Sequence, residues 1–224
     1  MGISIDHLNR HIYITKIITM QKLIRSTSAI LMLFVCNIAF SQTARPFSIA
    51  DFKTATWEVN NEGSVYSFIA SNPKGAVTTD FEFDWAMTTG DDMNGHIKIT
   101  AAAMKSAIGQ NNYFGPRLKN ATLTDKTTIW VSQNVFTHLN KNGSAKMDVG
   151  NGEETFTVVG WKTDNEDKAA FNNNVIVKGN EKTLLTIHVK NDDGSRQLWI
   201  LNNAQNPLIV KMDLGWTIVL KSVK

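Results

Sequence analysis

Three carboxylates recur at every second residue in Asp80-Phe81-Glu82-Phe83-Asp84-Trp85-Ala86-Met87. At strand spacing Asp80, Glu82 and Asp84 share one face, while Phe81, Phe83, Trp85 and Met87 share the other. A row of acids has two chemical uses: it can hold a cation, or it can work on a glycosidic bond, where a pair of carboxyls is the usual machinery. The same alternation also describes an ordinary half-buried strand, with a solvated charged face backing a buried aromatic one. That plainer reading takes the greater weight.

The acidic row loosely resembles the alternating strand of jelly-roll glycosidases, which runs Glu-x-Asp-x-x-Glu. Glu82 and Asp84 match its first two acids, and Met87 stands where the third, one of the catalytic pair, should be. The resemblance implies a carbohydrate-binding or glycoside-hydrolysing domain with an acidic site at Asp80, Glu82 and Asp84, and the departure at Met87 removes most of its support. Gly90-Asp91-Asp92-Met93-Asn94-Gly95 has the flavour of a calcium loop, but that pattern needs Asp where Gly90 stands. It reads as a hairpin loop, and no metal site is assigned.

His96, His138 and His188 are dispersed, and no H-E-x-x-H, Gly-x-Ser-x-Gly, Walker or dinucleotide-binding pattern occurs. Thr186, His188 and Lys190 read as the polar face of a strand whose other face is Leu185, Ile187 and Val189. No catalytic residue and no cofactor are assigned, and the balance leans away from an enzyme.

The scaffold that must position these groups is β. Turn signals recur at short intervals, among them Asn61-Glu62-Gly63, Asn142-Gly143, Asn151-Gly152, Gly179-Asn180 and Asp192-Asp193-Gly194, and the runs between them are rich in Val, Ile, Thr, Phe and Trp. That spacing predicts an all-β, mostly antiparallel domain: a β-sandwich or strongly bent half-barrel. Two stretches break the pattern. Thr100 to Ile108 predicts a short helix capped by Thr100 and stopped near Gly109, and Ser132 to Asn140 predicts a second. Lys162 to Asn174 is the longest polar stretch, expected as a loop, and Trp161 beside it is the tryptophan most suited to contact a ligand.

The other end of the chain carries an address. Met20, Lys22 and Arg25 precede an apolar run from Ala29 to Phe40, followed by Ala39-Phe40-Ser41 before Gln42. This is the pattern of a secretory signal peptide cleaved after Ser41, too short for a membrane span. Residues 1–41 are therefore expected to be a leader: a signal peptide over 20–41, with 1–19 either a long n-region or a stretch upstream of the true start. Residues 42–224 form a single exported domain, periplasmic or extracellular, with no transmembrane span. Val35 ahead of Cys36, the sole cysteine, is not the small residue that lipid attachment wants, so the mature chain has no thiol.

Removing the leader also removes the basicity. The chain has a net charge of +3, from 23 basic and 20 acidic residues. Loss of Arg10, Lys16, Lys22, Arg25 and Asp6 leaves nineteen of each sign. Nucleic acid is not an expected partner.

The C-terminal strands Arg196 to Leu201, Leu208 to Met212 and Trp216 to Lys221 have apolar residues on both faces. Leu208, Val210 and Met212, with Trp216, Ile218 and Leu220, supply a core face. The other face carries Ile209, Lys211, Thr217 and Val219, and its apolar part needs a cover. In plan this resembles the half-barrel carriers that shuttle lipids or lipoproteins across a periplasm, where a curved sheet and a helical plug enclose an apolar cleft; no residue motif of that family is present. The leading expectation is a non-enzymatic carrier of an apolar or amphipathic small molecule, or a binder of an envelope protein, with ligand-binding residues Trp199, Leu201, Ile209, Val219, Met104 and Ile108. A structural envelope protein is the third reading.

Overall fold

The structure, a computed structural model, describes residues 53–160 and 170–224, without the side chains of 170–174. The leader, Cys36, Trp161 and most of the Lys162 to Asn174 stretch lie outside the described residues. The described residues belong to one compact unit.

Among the described residues fourteen strands are joined in one sheet that wraps into a barrel, which fits the all-β expectation with its few short helices. In chain order they are β1 (Thr54–Asn61), β2 (Ser64–Gly75), β3 (Phe81–Met87), β4 (Asn94–Ile99), β5 (Gly109–Gln110), β6 (Asn120–Leu123), β7 (Lys126–Thr127), β8 (Ser144–Asp148), β9 (Glu153–Val158), β10 (Ala170–Val177), β11 (Asn180–Asn191), β12 (Gln197–Leu201), β13 (Ile209–Asp213) and β14 (Thr217–Val223). Most neighbours are antiparallel, and the parallel pairs are β4 with β6, β5 with β7 and β8, and β10 with β14. Two long strands branch the sheet. β11 pairs with β10 from Asn180 to Ile187 and with β9 along its last residues, while β14 takes β13 and then β10 on successive stretches. β10 thereby closes a small ring through β11, β12, β13 and β14, which abolishes edges there.

Both predicted helices are present. Helix α1 (Ala101–Ser106) is capped by Thr100, whose hydroxyl accepts from the Ala103 N–H at 3.3 Å. Helix α2 (Gln133–Asn142) is capped by Ser132 and ends on Gly143 at φ 75°, a left-handed conformation that glycine adopts without steric cost. α1 packs principally against α2 and β7.

The interior is aromatic. Phe81, Phe83 and Trp85 are buried, with Trp130 edge-on to Phe81 at 4.6 Å and tilted against Phe83 at 5.4 Å. A buried indole needs an acceptor for its N–H. Trp130 finds one in the Asn206 side chain at 2.8 Å, Trp85 in the Leu118 carbonyl at 2.9 Å, and Trp57 in the Ile209 carbonyl at 3.0 Å.

One face assignment is corrected. Trp199 pairs with Lys211 but Ile200 pairs with Ile209, so Val210 is an extra residue, a β-bulge. A bulge reverses the alternation on one side of itself. Ile209 therefore joins the buried side with Ile200 instead of the Lys211 and Val219 side. In β11, Thr186 and His188 are buried, whereas Leu185 is 57 % exposed, so this strand does not divide into the expected polar and apolar faces.

Candidate functional site

The acidic row lies where the strand period puts it, with Asp80 exposed just ahead of β3 and Glu82 and Asp84 half-exposed on it, opposite a basic row. Lys98 Nζ is 2.7 Å from Asp80, and the Ala101 N–H donates to Asp80 at 2.9 Å. Glu82 faces Lys74 at 3.4 Å and His96 Nε2 at 3.7 Å. Asp84 sits 2.9 Å from His96 Nδ1 and accepts from the Asn72 side-chain amide at 2.9 Å. The Lys98 and Ala101 hydrogen bonds hold the Asp80 pKa below the ordinary carboxylate value; those from Asn72 and His96 do the same for Asp84. A glycosidase acid must instead be held high enough to carry a proton.

Ser71, Asp84 and His96 stand in one cross-strand row. The carboxylate occupies the middle, whereas a hydrolytic triad needs the imidazole between hydroxyl and acid. His188 Nε2–H donates at 2.8 Å to the Gln197 side-chain oxygen, an amide and not a carboxylate. No group of His, Cys, Asp and Glu among the described residues could hold a metal ion.

The six residues expected around the second face are not brought together. Met104 is on the buried side of α1, and Ile209 and Leu201 are buried. Ile108 is 38 % exposed beyond the helix, and Val219 is half-buried on the outer face, paired with Lys211 and Glu58. Trp199 is occupied by its strand neighbours: the His188 ring stacks on it at 4.2 Å and Lys211 Nζ lies 4.3 Å from its centroid.

An apolar cleft forms on the opposite face of the same C-terminal strands, with a volume of about 350 Å³. Val59, Phe68, Ile129, Met212 and Ile218 are its buried floor. Half-buried Tyr66, Met87, Phe114 and Trp216 are its walls, and Asn61, Glu62, Asn112 and Tyr113 are on its lip. Burial raises the Tyr66 pKa, as expected of a phenol drawn partly out of water.

The strand registers explain the position. Asn60 pairs with Thr217 and Phe68 with Met87, so the turns β1–β2, β3–β4 and β13–β14 meet at one end of the sheet, which is the mouth. Residues Asn112 to Phe114 line one side of this mouth. Asn111 N–H bonds the Thr127 carbonyl at 2.7 Å, and the Asn112 amide reaches the Val149 carbonyl at 2.8 Å. Phe114 is inserted 4.3 Å from Phe68 and 5.3 Å from Trp85. This aromatic pair is the element that strand patterning misses. Its signal is Tyr113-Phe114 set between Asn112 and Gly115-Pro116, two large rings in an otherwise polar turn.

No protein-family model, curated protein or solved structure matches this chain. The site is therefore read from its own chemistry.

Proposed function

We propose that the chain is an exported binding or carrier protein whose apolar or amphipathic small-molecule ligand enters the mouth cleft. The observation that carries this reading is the cleft itself, an aromatic and methionine-lined space at a barrel mouth with amides on its lip. Mouths of barrels are favoured ligand sites, and this volume lies at the low end of the usual pocket range. Binding would draw on apolar area removed from water, at about 25 cal/mol per Å². Methionine walls adapt to irregular shapes, which suits a carrier. No catalytic group is required. The Met20 to Ser41 pattern supports export, and a mature chain beginning at Gln42 is expected by intact mass.

Trp216 is both wall and reporter. Titration with an uncharged hydrophobic dye should give saturable binding and a shift in tryptophan emission, and Trp216→Ala should weaken binding about tenfold while leaving the circular dichroism unchanged. Absence of saturable binding to the folded protein would leave a structural or partner-binding role in its place.

A further inference from the structure

The charge around the mouth is one-sided. Of the described residues lining the cleft, one is a carboxylate, Glu62, and none is Lys, Arg or His. The turns of the same end extend that field. Gln197 pairs with Asp213 and Asn191 with Phe156, so the β11–β12 and β8–β9 turns lie at the same end as the β13–β14 turn. They bring Asp192, Asp193 and Asp213 toward the end that also holds Asp91 and Asp92 of the β3–β4 turn. Of the basic groups there, Arg196 and Lys146 are held in ion pairs by Glu154 and Glu153, and Lys190, paired with Gln197 at the base of the β11–β12 turn, is exposed and outside the lining. Arg117 and Lys119, on the 3₁₀ turn after Phe114 and the residue that ends it, are exposed and outside the lining.

Resting on the carrier reading, we infer that the ligand is a small amphipathic cation, an amine or quaternary ammonium with an apolar tail. The tail occupies the floor of Phe68, Met212 and Ile218. The head lies among the Tyr66, Tyr113 and Trp216 rings beneath Glu62. Aromatic faces attract ammonium groups through their quadrupole, and a rim of carboxylates concentrates cations before they dock. An anionic head, such as a fatty carboxylate, would meet like charge at the lip and no cationic partner within.

The test compares decyltrimethylammonium with decanoate, equal tails of opposite charge, each below its micellar concentration, by calorimetry and tryptophan emission on the full mature chain. The ammonium is expected to bind about tenfold tighter at low salt, with the gap narrowing as salt screens the rim. Glu62→Gln should reduce the ammonium affinity several-fold and leave an uncharged dye unaffected. Equal or tighter binding of decanoate would overturn the cationic assignment and leave the carrier reading standing. If neither probe nor the dye bound, both would fall. Glu62 stands at φ 50° in a turn, so Glu62→Asn, a residue tolerant of that backbone, separates loss of charge from strain.

Discussion

The Trp57 indole N–H donates to the Ile209 carbonyl at 3.0 Å, spanning β14, with both residues buried. The bulge at Val210 makes this possible. A carbonyl displaced from the regular ladder still needs a donor, and the indole supplies it. Trp57→Phe should therefore cost about 1–3 kcal/mol, more than its lost ring area suggests, because the Ile209 oxygen is left buried and unpaired. Urea unfolding should show a lower midpoint at an unchanged slope.

That same pair marks the limit of what the sequence discloses. The helix cap Thr100, the second helix after Ser132, the Asn151-Gly152 hairpin and the alternation of Phe81, Phe83 and Trp85 are local signals, and the structure keeps all of them. β1 escapes because Thr54–Asn61 has only Trp57 and Val59 as large apolar residues, and its pairing with β14 is remote in sequence. The bulge at Val210 has no residue signature and decides which side of the meander Ile209 joins. The cleft is assembled from five separate segments; of its walls the strand patterns disclose Met87 and Trp216, whereas Tyr66 and Phe114 carry no such signal.

Asp80 and Asp84 predict an acid limb of stability. Their native pKa values are depressed, so each contributes stability that is present above the unfolded carboxylate value and lost as pH falls through the native one. The loss begins below about pH 4. Asp80→Asn with Asp84→Asn should flatten this limb in pH-dependent thermal melts and change little at pH 7, as expected of exposed pairs. A large loss at pH 7 would instead show that the row organises the α1 entry through Ala101.

His188 predicts a second, milder limb. Burial lowers its pKa, with the Gln197 hydrogen bond opposing and Lys211 and Lys190 adding to the shift. Between the native value and the unfolded one near 6.5 the unfolded chain binds the extra proton, so stability falls as pH drops through that window and levels off below the native value. His188→Gln should lose less stability from pH 7.5 to pH 5 than the parent protein. The ring stack with Trp199 gives an independent readout, since protonation of the native imidazole at 4.2 Å should quench its emission only at the lower end of that range, as pH falls through the native value.

Gly95 governs the segment that supports the cleft wall. A Cβ there would lie 2.5 Å from the Lys119 carbonyl oxygen and 2.6 Å from its Cα, both backbone atoms that cannot swing aside. The His96 N–H to Lys119 carbonyl bond at 2.7 Å and the Trp85 indole to Leu118 carbonyl bond at 2.9 Å hold this stretch down. Phe114 is placed four residues before Leu118 and depends on that seat. Gly95→Ala should cost about 1–3 kcal/mol by overpacking and should also loosen the wall. Phe114→Ala, which removes a half-buried ring without touching the backbone, should cost about 2 kcal/mol, below the cost of deleting a fully buried one. Hydrogen exchange separates the two effects. Gly95→Ala should speed exchange at the His96 amide, which bonds to Lys119, whereas Phe114→Ala should leave that amide protected while enlarging the cleft enough to accept bulkier dyes. Equal exchange in both variants would mean that the ring, rather than the close backbone approach at Gly95, seats the segment.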